Sequence, residues 1–465
     1  MSIQSTFKKL SVIACVTICI LETSYAQLVS IENKAEALLN EVISFQESVG
    51  ISAGILKDGE VIWIGAAGYL DVENRVAFNT ETLNRTASIA KPMTAIAILQ
   101  LHEQNKLHID DPIQKYLPSF PNNSEENITI RHLLHHSSGV GAYQSENEAS
   151  PTTNYKSLED AINVFKNRPL HFKPGTDYQY TTYGYVILGA IVEKASGMTF
   201  RNFMKKNIWS TANMQHTDVE IYGSEYPNKS KLYYKRPNRE IVPDMVTNLS
   251  VKVPGGGFYS TVGDLLRFGQ SVLTNKLIKP ETFDLMMTNP GTKSRGNPYL
   301  MGWFQYGDEN SRNGRVIGHS GSQSGTSTQL MIYLEQKVVV VVLSNTSGVW
   351  NNIFDLTNKL GENAIDPEVL KQPLPEVISV PDSILDNYAG SYQSESGSIR
   401  RIQKTDGYLS IFSNNNSSYR LYPTSQDTFF IRRGDITIEF VRNNEKNSID
   451  LVINDFGETY IYYRM

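Results

Sequence analysis

A serine and a lysine three residues apart are the groups in this sequence that best suit covalent chemistry. Ser88 and Lys91 lie near the start of Thr86–Leu101, where apolar residues recur at helical spacing. One helical turn places both side chains on the same face. A serine hydroxyl becomes a nucleophile when a base takes its proton, and a lysine in an apolar pocket can be that base. The alternative is an ordinary helix start, since Ser5 and Lys8 repeat the spacing.

Three later segments contain further candidate groups. Tyr180 lies in a polar and aromatic loop before an apolar helix predicted over residues 185–194, where a tyrosine either fills the core or transfers a proton. The glycine run at 255–257 precedes a helix that Ser260-Thr261 should cap. The run either permits close approach of backbone or ligand, or forms a flexible turn. His319 lies on a strand of small residues, where substrate backbone could approach.

Three histidines raise the question of a metal site. His132, His135 and His136 lie in a segment predicted as a helix over residues 128–139, and the first and last are four apart, as in zinc proteases. Leu133 replaces the glutamate expected beside the first histidine, and no third ligand is evident. The sequence favours hydrogen-bonded structural histidines, with no metal and no other cofactor; a metal site is the alternative.

Composition restricts the class of partner. The chain has 465 residues, which predicts a large domain and a smaller one. Its formal net charge is −5 and it has no run rich in lysine or arginine, so it offers no basic surface for nucleic acid. We expect a small-molecule or peptide substrate as the partner. The oligomeric state remains open.

The first 26 residues have the organisation of a secretory signal peptide. Lys8 and Lys9 precede an apolar run over residues 10–21, and Ser-Tyr-Ala at 24–26 forms a small-x-small cleavage site. The run is too short to span a membrane, although a permanent N-terminal anchor is the alternative. Cleavage near Ala26 predicts an exported protein, periplasmic or secreted, without a membrane span. It also removes both cysteines, which excludes disulfides and thiolate metal sites from the mature chain.

Periodicity and turn residues predict the larger organisation. Asp58-Gly59 between alternating apolar residues predicts a hairpin, and the run Val338–Leu343 predicts a central strand covered on both faces. A proline-containing linker over residues 364–384 separates residues 27–363 from residues 385–465. The last segment contains about eight short alternating stretches, which predict an antiparallel β-barrel domain.

Five motifs in this order resemble the serine β-lactamase and penicillin-binding-protein superfamily, in the branch with class C β-lactamases, D-alanyl-D-alanine carboxypeptidases, D-aminopeptidases and esterases. They are S-x-x-K at Ser88, RHLLHHSSG, PGTDYQYTTYGY, PGGGFYSTVGDLLRF and GHSG. The resemblance covers roughly residues 35–360. It implies an α/β (α+β) domain with a mostly antiparallel sheet flanked by helices and an all-helical subdomain beside the site. The NYAGSY pattern is similar to that of appended lipocalin-like β-barrel domains.

The resemblance also implies roles for individual residues. Ser88 matches the acylated nucleophile, and Lys91 matches its proton acceptor. Tyr180 matches the tyrosine of the Y-x-N motif, which transfers protons together with that lysine. The backbone amides of Ser88 and Ser322 match the oxyanion hole.

Two positions depart from the β-lactamase pattern. Thr182 replaces the asparagine of Y-x-N, which keeps a hydroxyl but loses the amide that would contact the substrate's acyl-side carbonyl. His319 and Gly321 match a strand motif that is K-T-G in many β-lactamases and H-x-G in several peptidases and esterases. A histidine with the ordinary pKa near 6.5 gains full charge only in mild acid. We therefore expect substrates with a carboxylate to bind better as the pH falls towards about 6.

The sequence thus predicts an exported serine hydrolase that cleaves a peptide, amide or ester bond through an acyl-enzyme on Ser88, as a D-peptidase or an esterase. A true class C-like β-lactamase is one alternative. A catalytically silent protein that binds peptidoglycan or lipid is another. The presence of Ser88, Lys91 and Tyr180 together argues against a silent protein, which has no chemical need for all three.

Overall fold

The computed structural model describes residues 30–121, 127–236, 240–294, 297–367, 375, 377–405, 407–412, 418–431, 436–443, 447–455 and 458–465. They fold as two compact units, the first containing residues 30–235 and 241–367, and the second containing Arg236, Glu240 and the C-terminal residues from 375. The predicted signal peptide over residues 1–26 lies outside the described residues. No helix in the described part of the chain has the length and hydrophobicity that crossing a bilayer requires.

The strands of the first unit build one large sheet and three small ones. In chain order they are β1 (Gly50–Lys57), β2 (Glu60–Asp71), β3 (Val76–Ala77), β4 (Asn84–Arg85), β5 (Asp218–Val219), β6 (Tyr233–Lys235), β7 (Ile241–Pro243), β8 (Phe258–Ser260), β9 (Lys293–Ser294), β10 (Asn297–Pro298), β11 (Phe304–Gly307), β12 (Val316–Gln323), β13 (Thr326–Tyr333), β14 (Val338–Ser344) and β15 (Thr346–Ser347). Seven of them form an antiparallel sheet in the order β11-β12-β13-β14-β1-β2-β3. The small sheets have the orders β4-β8-β5, β15-β6-β7 and β10-β9.

Helices cover both faces of the large sheet. They are α1 (residues 30–44), α2 (Ala90–Glu103), α3 (Ile130–Leu134), α4 (Glu146–Ala149), α5 (Leu158–Asn163), α6 (Thr182–Ser196), α7 (Phe200–Phe203), α8 (Val253–Gly256), α9 (Val262–Leu273), α10 (Pro280–Met286) and α11 (Trp350–Ile365). Short 3-10 turns lie next to or between these helices, at Ala87–Ile89, Ile113–Lys115 and Ser250–Lys252. Met204–Trp209 is a π-helical turn that follows α7. Helices α1 and α11 pack on one face, and α9 with the mainly helical region packs on the other. The predicted α/β fold class is confirmed.

The valine strand β14 lies in the middle of the large sheet, between β13 and β1. Val338, Val340 and Val342 point into the core beneath α1 and α11, while Val339 and Val341 point into the core on the opposite face. Because helices cover both faces, a continuous apolar run over residues 338–343 is favoured. This confirms the central strand predicted from the continuous valine run.

Two local predictions had different outcomes. The hairpin is confirmed: β1 and β2 pair antiparallel across a two-residue turn, in which Asp58 and Gly59 both have positive φ, at 50° and 93°. The helix predicted over residues 128–139 is wrong in length, because α3 ends at Leu134. His136 has a φ of +58°, a left-handed conformation that cannot continue a helix.

The second unit is a closed antiparallel barrel, as its alternating pattern predicted. It contains α12 (Asp382–Tyr388) and the strands β16 (Gly390–Ser394), β17 (Ile399–Thr405), β18 (Tyr408–Phe412), β19 (Ser418–Pro423), β20 (Thr428–Ile431), β21 (Ile436–Asn443), β22 (Ser448–Asp455) and β23 (Glu458–Arg464). Strand β23 pairs with β16 and closes the barrel. Tyr388 of α12 stacks on Phe440 with ring centroids 4.1 Å apart, which packs the helix against aromatic side chains of the barrel.

A buried guanidinium fixes the chain just before Ser88. Arg85 is almost completely buried, and its Nη2 donates to Glu220 Oε1 at 2.7 Å. The same side chain donates to the backbone oxygens of Thr247 and Ser324, each at 3.1 Å. One residue therefore joins three segments of the first unit, and its charge has its compensating carboxylate in Glu220.

Glu220→Gln should lower the free energy of unfolding by about 3–5 kcal/mol, because it leaves the Arg85 charge buried without its partner. Asp218→Asn is the matched control, since its partner Arg201 has a side chain that is 47% exposed. An exposed pair of this kind contributes about 1 kcal/mol or less. Urea denaturation measures both values. Equal losses in the two variants would contradict the structural role assigned to the buried pair.

Candidate active site

Ser88 and Lys91 lie on either side of the point where a 3-10 turn passes into an α-helix. Ser88 lies in the 3-10 turn Ala87–Ile89, which leads directly into α2, and Lys91 lies in the first turn of α2. The Nζ of Lys91 is 2.9 Å from Ser88 Oγ. Ala87 has a φ of +47°, a conformation that non-glycine residues rarely adopt. Such local strain is common at functional sites, where the surrounding structure holds it in place.

The amine of Lys91 is completely buried and lies among three oxygens. Besides Ser88 Oγ, it is 2.8 Å from the carbonyl oxygen of Gly255 and 3.2 Å from Thr182 Oγ1. Burial lowers the pKa of Lys91 well below 10.5, and the positive charge of Lys252 lowers it further. A neutral amine has two N–H bonds and one lone pair. With the two N–H bonds directed to Gly255 and Thr182, the lone pair faces the Ser88 hydroxyl.

The glycine run at 255–257 is packed against protein rather than being a flexible turn. Gly255 and Gly256 end the short helix α8. A Cβ on Gly255 would lie 2.6 Å from Thr182 Cγ2, closer than real side chains approach. The absence of a side chain therefore allows α8 to approach α6, which places the Gly255 carbonyl against Lys91.

Tyr180 lies beside the serine and lysine, at the end of the loop before α6. Its side chain is half-buried, and its ring centroid is 4.7 Å from Lys91 Nζ. Burial raises the pKa of Tyr180 well above 10, although a side-chain hydrogen bond with Ser88 acts in the opposite direction. Of the two interpretations of Tyr180, the contacts with Lys91 and Ser88 favour proton transfer over core filling.

His319 lies in β12 and is held from both sides. Its Nδ1 is 2.6 Å from the backbone oxygen of Ser320, and its Nε2 is 3.0 Å from the hydroxyl of Tyr299. A carbonyl oxygen only accepts, so Nδ1 must be the protonated nitrogen and Nε2 accepts from Tyr299. Burial, with a smaller effect of Lys91, lowers the pKa of His319 to about 3.

The expected charging of His319 near pH 6 is therefore wrong. That expectation used the pKa of a solvated imidazole, whereas only 1% of the surface of His319 is exposed. Its Nε2 accepts a hydrogen bond from Tyr299 in the neutral form, and a second ring proton would require the Tyr299 hydroxyl to turn and accept instead. His319 is a neutral group throughout the range in which most enzymes work.

Gly321 allows β12 to run against the turn that contains Ser88. A Cβ at this position would lie 2.5 Å from the backbone oxygen of Thr86 and 3.0 Å from Ala87 Cβ. The next residue, Ser322, follows at this point of contact and is exposed. The strand edge and the Ser88 turn therefore lie side by side, as an oxyanion hole built from both would require.

The three histidines of the RHLLHHSSG motif each make a hydrogen bond. The Nδ1 atoms of His132 and His136 accept from the backbone N–H groups of Thr129 and Thr181, both at 3.2 Å. His135 Nδ1 is 3.1 Å from the backbone oxygen of Tyr299. In the described part of the chain no group of three or more His, Cys, Asp or Glu side chains could hold a metal ion.

Three groups near the serine and lysine have no signal in the sequence for their roles. Gly255 contributes a carbonyl, Tyr299 bonds His319, and a charge on Lys252 lowers the pKa of Lys91. The glycine run is visible in the sequence, but a backbone oxygen has no sequence signature. Tyr299 and Lys252 are distant in sequence from the motifs they support, and nothing in their neighbours distinguishes them.

Comparisons with known proteins agree with this arrangement. A family model described as Beta-lactamase matches residues 38–360. The chain belongs to the beta-lactamase family. Membership in this family, with the serine, lysine and tyrosine in contact, makes it a serine hydrolase.

Similar proteins come from distant organisms. The chain is 29% identical to the mitochondrial serine beta-lactamase-like protein LACTB of Homo sapiens, over 64% of this chain and 71% of that protein. It is 27% identical to penicillin-binding protein 4* of Bacillus subtilis, over 86% of this chain and 92% of that protein. The structure of a D-amino acid amidase from Ochrobactrum anthropi, 18% identical, superposes with a TM-score of 0.64 over 72% of this chain and 99% of the amidase. At that identity the last comparison shows the fold.

We predict that His319 does not titrate between about pH 5 and 8, because a lowered pKa keeps an imidazole neutral at all pH values above it. The measurement is an NMR titration of the protein labelled in its histidine rings. The His319→Gln variant identifies the resonance. A midpoint between about 6 and 7 for this resonance would contradict the effect of burial described above.

Proposed function

We propose that this beta-lactamase-family protein hydrolyses neutral esters or amides through an acyl-enzyme on Ser88. The observation that supports this most directly is the 2.9 Å contact between Ser88 Oγ and the buried amine of Lys91. A buried amine with a lowered pKa is a base near neutral pH, and its position fixes the direction of proton transfer.

Acylation follows from this contact. The Ser88 hydroxyl gives its proton to the Lys91 lone pair as its oxygen attacks the substrate's carbonyl carbon. The carbonyl oxygen gains the negative charge, and the backbone N–H groups of Ser88 and Ser322 are the donors proposed to stabilise it. Gly321 supports this assignment, because its missing side chain lets the two segments approach each other.

Tyr180 is proposed as the acid for the leaving group. Its raised pKa keeps the phenol protonated, and it lies against both Ser88 and Lys91. When the tetrahedral intermediate collapses, Tyr180 protonates the departing oxygen or nitrogen and recovers a proton from Lys91. Water then enters, and the same groups act in reverse to release the acid and restore the Ser88 hydroxyl. Thr182 orients Lys91 in this scheme instead of contacting the substrate.

The charges of the site favour a substrate without a carboxylate. A neutral His319 provides a hydrogen-bonding surface and no fixed cation. Arg85 and Lys252 are buried cations near the Ser88 turn, and Arg85 is already paired with Glu220. The relatives described as a penicillin-binding protein and a D-amino acid amidase support D-amino acid amides and short peptides as one substrate class. Simple acyl esters are the other.

Two further features belong to this proposal. We place the hydrolase in residues 27–363, with residues 364–384 as a linker and residues 385–465 as a separate domain without catalytic residues. The basic, apolar and small-x-small order of residues 1–26 supports export, with the mature chain beginning near Gln27. Export to the periplasm or medium would bring the enzyme to extracellular esters and peptides.

A fluorophosphonate probe tests the nucleophile. The natural protein should gain one probe adduct on the peptide containing Ser88, measured by mass spectrometry, and Ser88→Ala should gain none. Ser224, an exposed serine of the first unit, provides the control variant Ser224→Ala, which should label fully. A folded natural protein that remains unlabelled would favour the silent binding protein.

A substrate panel then separates the enzyme classes. We expect hydrolysis of short acyl esters or D-amino acid amides, with little turnover of a chromogenic cephalosporin, because a β-lactam carries a carboxylate that no fixed cation meets. Each activity should disappear in Ser88→Ala. Cephalosporin turnover faster than ester and amide turnover would favour the class C-like β-lactamase instead.

Tyr180→Phe should lower kcat/KM far more for an alkyl ester than for a p-nitrophenyl ester, since p-nitrophenolate leaves without protonation. A difference of about 100-fold between the two losses corresponds to one general-acid contribution. Lys91→Met should lower both. The double variant should be little worse than Lys91→Met, because groups that form one proton-transfer unit are not additive. Multiplicative losses would mean that the two residues act independently.

A further inference from the structure

We propose that His136 is a positioning residue for this reaction: it holds Tyr180 against Lys91 and Ser88 without touching the substrate. The inference rests on the proposed function, in which Tyr180 protonates the leaving group. It gives a role to a histidine that the sequence motif contains and that the acylation scheme leaves unused.

Both neighbours of Tyr180 are bonded to His136. The backbone N–H of Gln179 donates to the backbone oxygen of His136 at 2.9 Å. The backbone N–H of Thr181 donates to Nδ1 of the same histidine at 3.2 Å. The residues on either side of Tyr180 are thereby attached to one histidine, which restricts the direction of the Tyr180 side chain.

The imidazole ring also supports the phenol directly. Its centroid is 4.3 Å from the ring of Tyr180 and 4.5 Å from the ring of Tyr299, and the residue is 1% exposed. Tyr299 in turn donates to His319. The His136 ring therefore lies between the tyrosine of the proposed proton transfer and the tyrosine that fixes the β12 histidine.

The protonation state of His136 shows that this position requires a hydrogen-bond acceptor. Because Thr181 donates to Nδ1, the neutral ring carries its proton on Nε2, and no acceptor among the described residues reaches that buried atom. An unpaired buried donor destabilises the folded state. Burial lowers the pKa of His136 well below 6.5, so the ring stays neutral. A histidine therefore destabilises the core at this position, and it contributes the acceptor for the backbone N–H of Thr181.

Small displacements of a proton donor have large kinetic effects. A general acid must lie within hydrogen-bonding distance of the departing atom, and a shift of about 1 Å can cost about 100-fold in rate. Loss of the Nδ1 acceptor would leave the Thr181 N–H unpaired and release one of the two attachments of Tyr180. The loss should affect protonation of the leaving group, while substrate binding should change little.

Two variants of similar shape test the role of His136. His136→Asn keeps an acceptor near the position of Nδ1, whereas His136→Leu removes it. Asparagine also tolerates the φ of +58° at this position better than leucine does. The measured quantity is the ratio of kcat/KM for a p-nitrophenyl ester to kcat/KM for the matching alkyl ester. This ratio does not depend on the folded fraction of a variant, so a loss of stability cannot imitate the effect.

We expect His136→Leu to raise this ratio by about 100-fold, with KM changed by less than about threefold, and His136→Asn to bring it within about tenfold of the natural value. His132→Leu is the matched control: it removes an acceptor for a backbone N–H in the same segment, that of Thr129, and should leave the ratio unchanged. An unchanged ratio in His136→Leu, or the same rise in His132→Leu, would overturn the positioning role. Failure of the proposed function is distinct, because the natural protein itself would then show no Ser88-dependent hydrolysis.

Discussion

The burial of one amine is the constraint on which the rest of this site depends. Lys91 is completely enclosed, so its positive charge has lost the solvation that water would give it, and the neutral form is favoured. The two oxygens of Gly255 and Thr182 then use its N–H bonds and leave its lone pair directed at Ser88. A solvated lysine at the same spacing would be a cation and could not accept a proton.

Several elements of the first unit serve to enclose that amine. Helix α2 presents Lys91, α6 supplies Thr182, and α8 supplies the carbonyl of Gly255. Two glycines make this convergence possible: Gly255 admits α8 against α6, and Gly321 admits β12 against the Ser88 turn. The large sheet and its two apolar cores hold these elements at fixed distances. Packing and catalysis are therefore linked at the level of single Cβ atoms.

The same burial determines the electrostatics of the substrate cleft. Burial disfavours an imidazolium at His319, and a proton on the nearby Lys91 would disfavour it further. His136 is subject to both effects as well. Aromatic rings, including those of Tyr180 and Tyr299, pack around the two histidines. The hydroxyl of Tyr299 also forms a hydrogen bond with His319. The surroundings of Ser88 are thus rich in neutral hydrogen-bonding groups.

The sequence by itself determined the fold class and the candidates for chemistry. Three of the patterns used are local: the continuous valines of β14, the Asp58-Gly59 turn and the alternation of the C-terminal strands. Each predicts the secondary structure of its own segment. Ser88 and Lys91 are one helical turn apart, so their contact was also a local matter. Tertiary structure decided the remainder, because it depends on which distant groups surround an atom. Burial moved the pKa of His319 from near 6.5 to about 3, a left-handed His136 ended the predicted helix early, and Tyr299 and the Gly255 oxygen entered the site from segments without any motif for these roles.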